Sequence, residues 1–564
     1  MKSFRLFPFR ATAVAILILA GFLGSPPGAS AEEAGLYDGL KAAFEPLIQE
    51  TELNANDGAA GDSFGFWVSI DGNTAVVSAP FDDDLGTDSG AVYVFVRNGR
   101  SWSLQAKLTA SDGSPGDRFG DSVSISGDTL LVGVDLDTTP ELGANSGSVY
   151  VFERSGTSWS QEAKLNAADG AAGDQFGFVV SIDGDTAVIG APGDDTDAGI
   201  NAGSAYVFVR SGTSWSQLHK LTPEDAGAID RFGFSAAIDG DTLVVGAVFD
   251  DDPSGSADFG AAYVYVRDAG TWSLQQKLLA NNGRAGDQLG FSVDISGDTV
   301  VVGAPTTDRV RPNSGSVYVF ERSGTSWSQQ AELIAPDGAF ADLLGSSVAI
   351  HGDTVVGGSQ FDDDRGGDSG SVYVFARNAG SWSLRQKLNA ADGAAFDRFG
   401  LRVAIDDSTV VVGALLGDGP VTNSGSAYVF APENLPPDCS GASPSVTGVW
   451  PPNHKLVEVS VQGVTDPDDD PITITVDRIR QDEATNGLGD GNFCPDGTGI
   501  GTETAYLRAE RSGLGNGRVY TVSFTGSDGR GGTCSGSVTV CVPLFNNGSC
   551  VDDGATVDST TCSE

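Results

Sequence analysis

Histidine and methionine are nearly absent from this chain of 564 residues, which holds three His and one Met. A histidine-rich metal centre or a His-dependent proton relay therefore has few members to draw on. Basic residues are scarce as well: Lys+Arg number 32 against 76 Asp+Glu, for a formal charge of −44. Nucleic-acid binding needs a basic face to neutralise phosphates, and docking on anionic lipid needs one to meet headgroups, so the composition argues against both. Cysteine is missing from everything before Cys439. Glycine, at 77, is abundant, and hydrophobic residues make up 40%. That is enough apolar material for a packed core, in a chain that favours turns and short strands over long helices.

The first 31 residues have the pattern of a secretory signal peptide. Lys2, Arg5 and Arg10 form a positive start, Ala11 to Leu23 an apolar run, and Ala29-Ser30-Ala31 a small-residue cleavage site. The run is short for a membrane span, and no later run is apolar enough for one. The reading is export, with residues 32–45 as a linker. The cysteines fit an oxidising compartment: Cys439, Cys494, Cys534, Cys541, Cys550 and Cys562 are even in number, and no C-x-x-C pair suggests zinc. Proximity alone points to Cys550–Cys562, with Cys439–Cys541 and Cys494–Cys534 completing the set.

The chain repeats itself. An Asp-x-(Phe/Leu)-Gly element places glycine at 65, 120, 177, 233, 290, 345 and 400, so the copies are 55 to 57 residues apart. A Trp-Ser element and a Tyr-Val-(Phe/Tyr) element recur in register with it. Each copy reads as four strands. In the fifth, Phe291–Ile295 alternates, Ser296-Gly297 suits a hairpin turn, and Val300-Val301-Val302 suits a strand covered on both faces. Ser316–Phe320 follows, and the strand begun by Trp327 alternates apolar and polar as an outer strand does. Four antiparallel strands repeated radially describe a β-propeller. The seventh copy stops at Phe430 without its Trp strand, while Gln49–Gly58 matches Gln161–Gly170. The expectation is an all-β chain with a seven-bladed β-propeller over 46–432, closed by an N-terminal strand that supplies the missing one.

Phe176-Gly177 followed by Gly190-Ala191-Pro192, and Phe64-Gly65 with Ser78-Ala79-Pro80, resemble the FG-GAP repeats of the integrin α-subunit propeller and its bacterial relatives. The resemblance implies an extracellular propeller used for ligand or cell contact. The family's calcium loop between first and second strands does not carry over. That slot holds only Ser126-Gly127-Asp128-Thr129 or Asp183-Gly184-Asp185-Thr186, too short to wrap Ca²⁺.

A linker over 433–440 leads to a second domain, 441–543, and a Cys-containing tail, 544–564. Leu456–Val461, Ile472–Val476, Val519–Phe524 and Ser537–Cys541 alternate as strands of a disulfide-bearing immunoglobulin-like sandwich. Trp450–Lys455 and Thr465–Asp468 resemble Ig-like modules of bacterial surface proteins.

Most chemistry-bearing motifs fail. Gly367-Asp368-Ser369-Gly370 resembles a serine-protease box, but other copies place Asn-Ser-Gly in the same slot, so it reads as a repeated turn. His219, His351 and His454 lie in unrelated places. The Asp preceding each Phe/Leu-Gly, from Asp62 to Asp397, recurs in every copy and reads as a loop cap. No catalytic residue and no cofactor-binding motif is assigned.

The loop between second and third strands carries the remaining signal: Asp82, Asp83 and Asp84; Asp194, Asp195 and Asp197; Asp250, Asp251 and Asp252; Asp362, Asp363 and Asp364. These carboxylates gather on one rim, where they would hold Ca²⁺, form a recognition face, or serve only as solvated acidic loops. The functional expectation is an exported, non-enzymatic binding or adhesion protein contacting a protein or glycan through this rim. Its alternatives are a glycan-active hydrolase or lyase, which would need unlike residues converging at the channel, and a passive envelope or matrix component.

Overall fold

The computed structural model describes residues 46–251, 258–468, 470–483, 494–511, 516–545, 548, 550–554 and 556–561. The signal peptide and linker read from the sequence, Asp252 and Cys562 lie outside them. The chain divides into two compact units, one of them Pro46–Glu433.

That unit is seven four-stranded antiparallel sheets, the blades of a β-propeller. The first blade runs Val68–Asp71, Thr74–Ala79, Ala91–Asn98 and Ser101–Leu108, from inner to outer strand. The second strand of each blade is a short, mostly β-branched run lying between neighbours on both faces. Thr74–Ala79, Thr186–Ala191 and Thr409–Ala414 are buried at every residue. Outer strands alternate: Ser158–Leu165 shows its polar side to solvent and ends on buried Leu165. In the seventh blade, Phe399–Asp406, Thr409–Ala414 and Ser426–Pro432 are completed by Leu47–Leu53, which pairs antiparallel to Ser426–Pro432.

The FG element is explained by close approach between blades. Gly65 has φ of +90°, and a Cβ there would lie 2.2 Å from the Ser426 carbonyl of the seventh blade. No L-residue fits, so glycine is required. The preceding Phe64 is fully buried and packs edge-on against Tyr93, with ring centroids 5.3 Å apart. Gly370 of the protease-like box has φ of +82°, and a Cβ would meet the Phe399 carbonyl at 2.0 Å. Ser369 donates to the Asp362 carbonyl, so that box is a turn.

Two further ties run around the ring on the short-hairpin side. Arg154 uses Nε on Asp128 (2.6 Å) and Nη1 on Thr74 of the blade before it (2.8 Å), while stacking over Trp159. The same clamp recurs at Arg210, Arg267, Arg322 and Arg377. Arg97 reaches Thr409, so the clamp also joins the first blade to the seventh. The hairpin aspartate read as too confined for calcium is thus an arginine partner. In parallel, Asp71 accepts the Gly127 amide, Asp183 the Gly240 amide, and Asp406 the Gly72 amide.

The second unit contains two four-stranded sheets that share one core. One joins Ser443–Pro444, Leu456–Gln462, Thr504–Arg508 and Gly497–Thr498; the other joins Thr533–Val542, Arg518–Ser527, Thr473–Gln481 and Val557–Asp558. Val459, Leu507, Ile479, Tyr520, Phe524 and Val540 are buried in that core. Two boundaries shift from the sequence reading. Asp438, placed in a linker, pairs with Thr465, and the supposed tail returns to the sheet, where Val557 and Asp558 pair with Gln481 and Arg480.

The disulfides also differ from expectation. Cys439 joins Cys534, and Cys541 joins Cys550, with Cα separations of 5.8 and 5.9 Å. Cys439–Cys541, Cys494–Cys534 and Cys550–Cys562 are therefore not the pairs; Cys494 is bonded elsewhere. Cys534 and Cys541 lie near opposite ends of one ten-residue strand. At about 3.3 Å per residue those ends are over 20 Å apart, so Cys439 can meet only one of them.

Candidate functional site

Two loop sets emerge on one face of the propeller: those between second and third strands, and those entering each inner strand. They are stitched together by short parallel bridges such as Gly147 to Phe176. The Asp before each Phe/Leu-Gly caps its own loop. Asp62 accepts the Ala59 amide at 2.7 Å, and Asp117, Asp174, Asp230, Asp287, Asp342 and Asp397 each accept the amide three residues earlier. Burial pushes these carboxyls up, to about 6 at Asp230 and Asp342.

The acidic loops are held by lysines of the outer strands. Lys107 Nζ lies 2.7 Å from Asp57, 2.9 Å from Asp82 and 2.5 Å from Asp84, at the centre of three carboxylates. Tyr93 donates to Asp57 and Asp82 as well. Burial works against the ammonium, but the hydrogen bonds of Asp57, Asp84, Tyr93 and Asp82 outweigh it and raise the lysine pKa. Lys387 repeats the arrangement with Asp337, Asp362 and Asp364. Lys164 holds Asp112 and Asp137; Lys220 holds Asp169 and Asp194; Lys277 holds Asp225 and Asp250. The second aspartate of each loop pins its turn: Asp83, Asp195, Asp251 and Asp363 accept the amides of Asp88, Asn201, Asp258 and Asp368. Asp197 is exposed. The charge repulsion that would have called for Ca²⁺ is met here by ammonium groups. The lysines were missed because they lie over 20 residues from the loops they neutralise.

One station is inverted. In the fifth blade Thr307 stands in the leading Asp slot, Glu332 in the Lys slot and Asn282 in the slot of Asp57. The cation comes from Arg309, which bonds Glu332 at 2.5 Å and the Tyr318 hydroxyl at 2.7 Å, while Asn282 donates to Glu332. In the seventh, Glu52 replaces lysine, Gly417 replaces aspartate, and Ser426 donates to Glu52 at 2.8 Å.

Apolar side chains stand among these polar ties. Leu85, Ile200 and Val421 on one loop set, and Ile229, Phe340 and Phe396 on the other, are exposed on this face, Phe340 by 71%. Ile229 and Phe396 also have φ of +75° and +77°, in the slot that Gly61, Gly116, Gly173 and Gly286 occupy elsewhere. A β-branched residue is strained in the left-handed region, by roughly 1–2 kcal/mol. Glycine gives back part of that through its greater unfolded-state freedom. Ile229→Gly is therefore expected to leave stability unchanged or raise it by up to about 1 kcal/mol, read by denaturant melts of the full chain. Strain kept on a largely exposed apolar side chain is the kind of feature found at functional sites.

Comparison with known families matches the FG-GAP repeat to residues 48–95, 102–152, 159–208, 215–265, 272–320, 327–375 and 382–430, one match for each blade. No curated protein matches the chain.

Proposed function

Since the chain belongs to the FG-GAP repeat family, we propose that it is an exported, non-enzymatic binding or adhesion protein that contacts an extracellular protein or glycan with the long-loop face of its propeller. The observation that carries this reading is the pair Ile229 and Phe396, exposed apolar residues at left-handed positions where four other blades have glycine. Phe340 and Ile200 extend the apolar set to 71% and 60% exposure. Isolated exposed hydrophobics need no explanation, but strained ones on a single face do. The disulfides of the second unit agree with an oxidising compartment.

A glycan array and an extracellular-protein array, probed with the purified full chain, test the reading. A specific ligand is expected, and the variant Ile200→Ser, Ile229→Gly, Phe340→Ser, Phe396→Gly should bind it at least tenfold more weakly while melting no lower. Undiminished binding by that variant, or turnover of a glycan on the array, would overturn the proposal.

A further inference from the structure

The seven inner strands line a central channel with a cavity of about 280 Å³. Its walls are built from similar copies, with three bulky or charged departures, Trp67, Asp294 and Arg402; a smaller one, Val179, shares the slot of Trp67 and Arg402. Four other blades place serine in the slot of Trp67 and Arg402, and three of those serines, Ser122, Ser235 and Ser292, donate to the glycine carbonyl of the next blade. Trp67 instead packs against cores on two sides of the ring, that of the first and second blades and that of the third and fourth. Asp294 stands where the other blades have Ser or Ala and accepts the Ile295 and Ile350 amides.

Arg402 is the least satisfied of the three. Its guanidinium lies over the Trp67 ring, 4.2 Å from the centroid. Its sole hydrogen bond among the described residues is a 3.3 Å contact from Nη1 to the Leu401 carbonyl, and Nε is buried without a partner. No carboxylate pairs with it among the described residues. Burial pulls its pKa down to about 10. Half-buried and facing the cavity, the Arg402 guanidinium offers donors that no anion meets among the described residues, and a planar carboxylate meets such donors two at a time. The ring contact supplies only part of what an anion would. Phe178, Phe234 and Phe291 form a row of mutually tilted rings on the cavity wall, with successive centroids 5.0 and 5.2 Å apart. A cavity with one unpaired cation and an aromatic wall has the make-up of a small-molecule site.

We propose that the channel binds a small monocarboxylate with an apolar body, its carboxylate on Arg402 and its body against the phenylalanine row. A single negative charge is favoured over a dianion, because Asp294 shares the cavity and Asp71, Asp183, Asp239 and Asp406 sit at the short hairpins of the same inner strands. This site is separate from the long-loop face and stands or falls apart from it.

Calorimetric titration of the full chain with benzoate, benzamide and inorganic phosphate at matched ionic strength tests it. Benzoate is expected to saturate one site, with benzamide and phosphate each at least tenfold weaker. Arg402→Gln should weaken benzoate at least tenfold while circular dichroism remains that of the parent. The wild-type series decides the matter even if that variant fails to fold. Absence of saturable benzoate binding, equal affinity for benzamide, or full benzoate affinity in Arg402→Gln would overturn the proposal and leave Arg402 as a plug of the channel.

Discussion

Lys107→Met is expected to destabilise the propeller by about 3 kcal/mol, the scale for removing one partner from a buried ion pair. The lysine side chain is 18% exposed and Asp82 only 3%, so water replaces little of what is lost. Asp57 and Asp84, about half exposed, lose less. Asp57 moves the other way in acid: burial raises its pKa, but the Lys107 and Tyr93 hydrogen bonds prevail and hold it low. A depressed carboxyl contributes stability above its ordinary pKa and loses it as pH falls, so this part of the station weakens in acid. Adding Asp82→Asn to Lys107→Met should recover most of the loss, because no buried charge then stands alone. The single variant also leaves three carboxylates aimed at one vacated point. Ca²⁺ at millimolar concentration should raise its melting temperature more than it raises the parent's, with matched NaCl as control. Equal melting of parent and Lys107→Met would show that the ammonium contributes nothing to the loop.

Much of this architecture was legible from repetition alone. Asp-x-Phe-Gly, Tyr-Val-Phe and Trp-Ser stand at fixed offsets because each meets the same partners in every copy, within its own blade or the adjacent one, and Gly65 and Phe64 show why substitution fails there. The lysine stations were legible in principle as well. The outer strands end Lys-Leu in five copies and Glu-Leu in two, Glu52-Leu53 and Glu332-Leu333. Those two copies are the ones whose loops lack the leading aspartate, with Gly417 and Thr307 in its place. Covariation among copies within one chain therefore carries the contact, although propensity and periodicity say nothing about it. Disulfide pairing was not legible. It depends on which end of the Thr533–Val542 strand faces Cys439, a matter of sheet register that spacing does not encode. Trp67 and Arg402 were hidden for the opposite reason: they depart from the repeat, so a reading built on what recurs passes over them.

The second unit holds the other large expected effect. Arg518 is fully buried and bonds Asp496 at 2.8 Å, with Glu510 at 3.6 Å, and both acids are buried too. Arg518→Met should destabilise this unit by about 3–5 kcal/mol, since two buried carboxyls would then face each other without that guanidinium, with Arg508 remaining only at 3.9 and 4.0 Å. Glu510 is raised to about 9, first by burial and then by its hydrogen bond and repulsion with Asp496, against the pull of Arg518 and Arg508. That direction favours the protonated form of Glu510 at neutral pH. A carboxyl raised in the folded state contributes stability that is full below its ordinary pKa and is lost as pH rises through the elevated value. The unit should therefore weaken from about pH 4.5, the ordinary value, up to about pH 9, by up to about 1.4 kcal/mol per pH unit. Glu510→Gln copies the protonated acid, amide for hydroxyl, and cannot ionise. It should match the parent near pH 4.5 and flatten the decline above it, as followed by urea melts at stepped pH. An unaltered alkaline slope in Glu510→Gln would place the titrating proton elsewhere, and a parent whose stability rises toward pH 9 would contradict a raised Glu510 altogether.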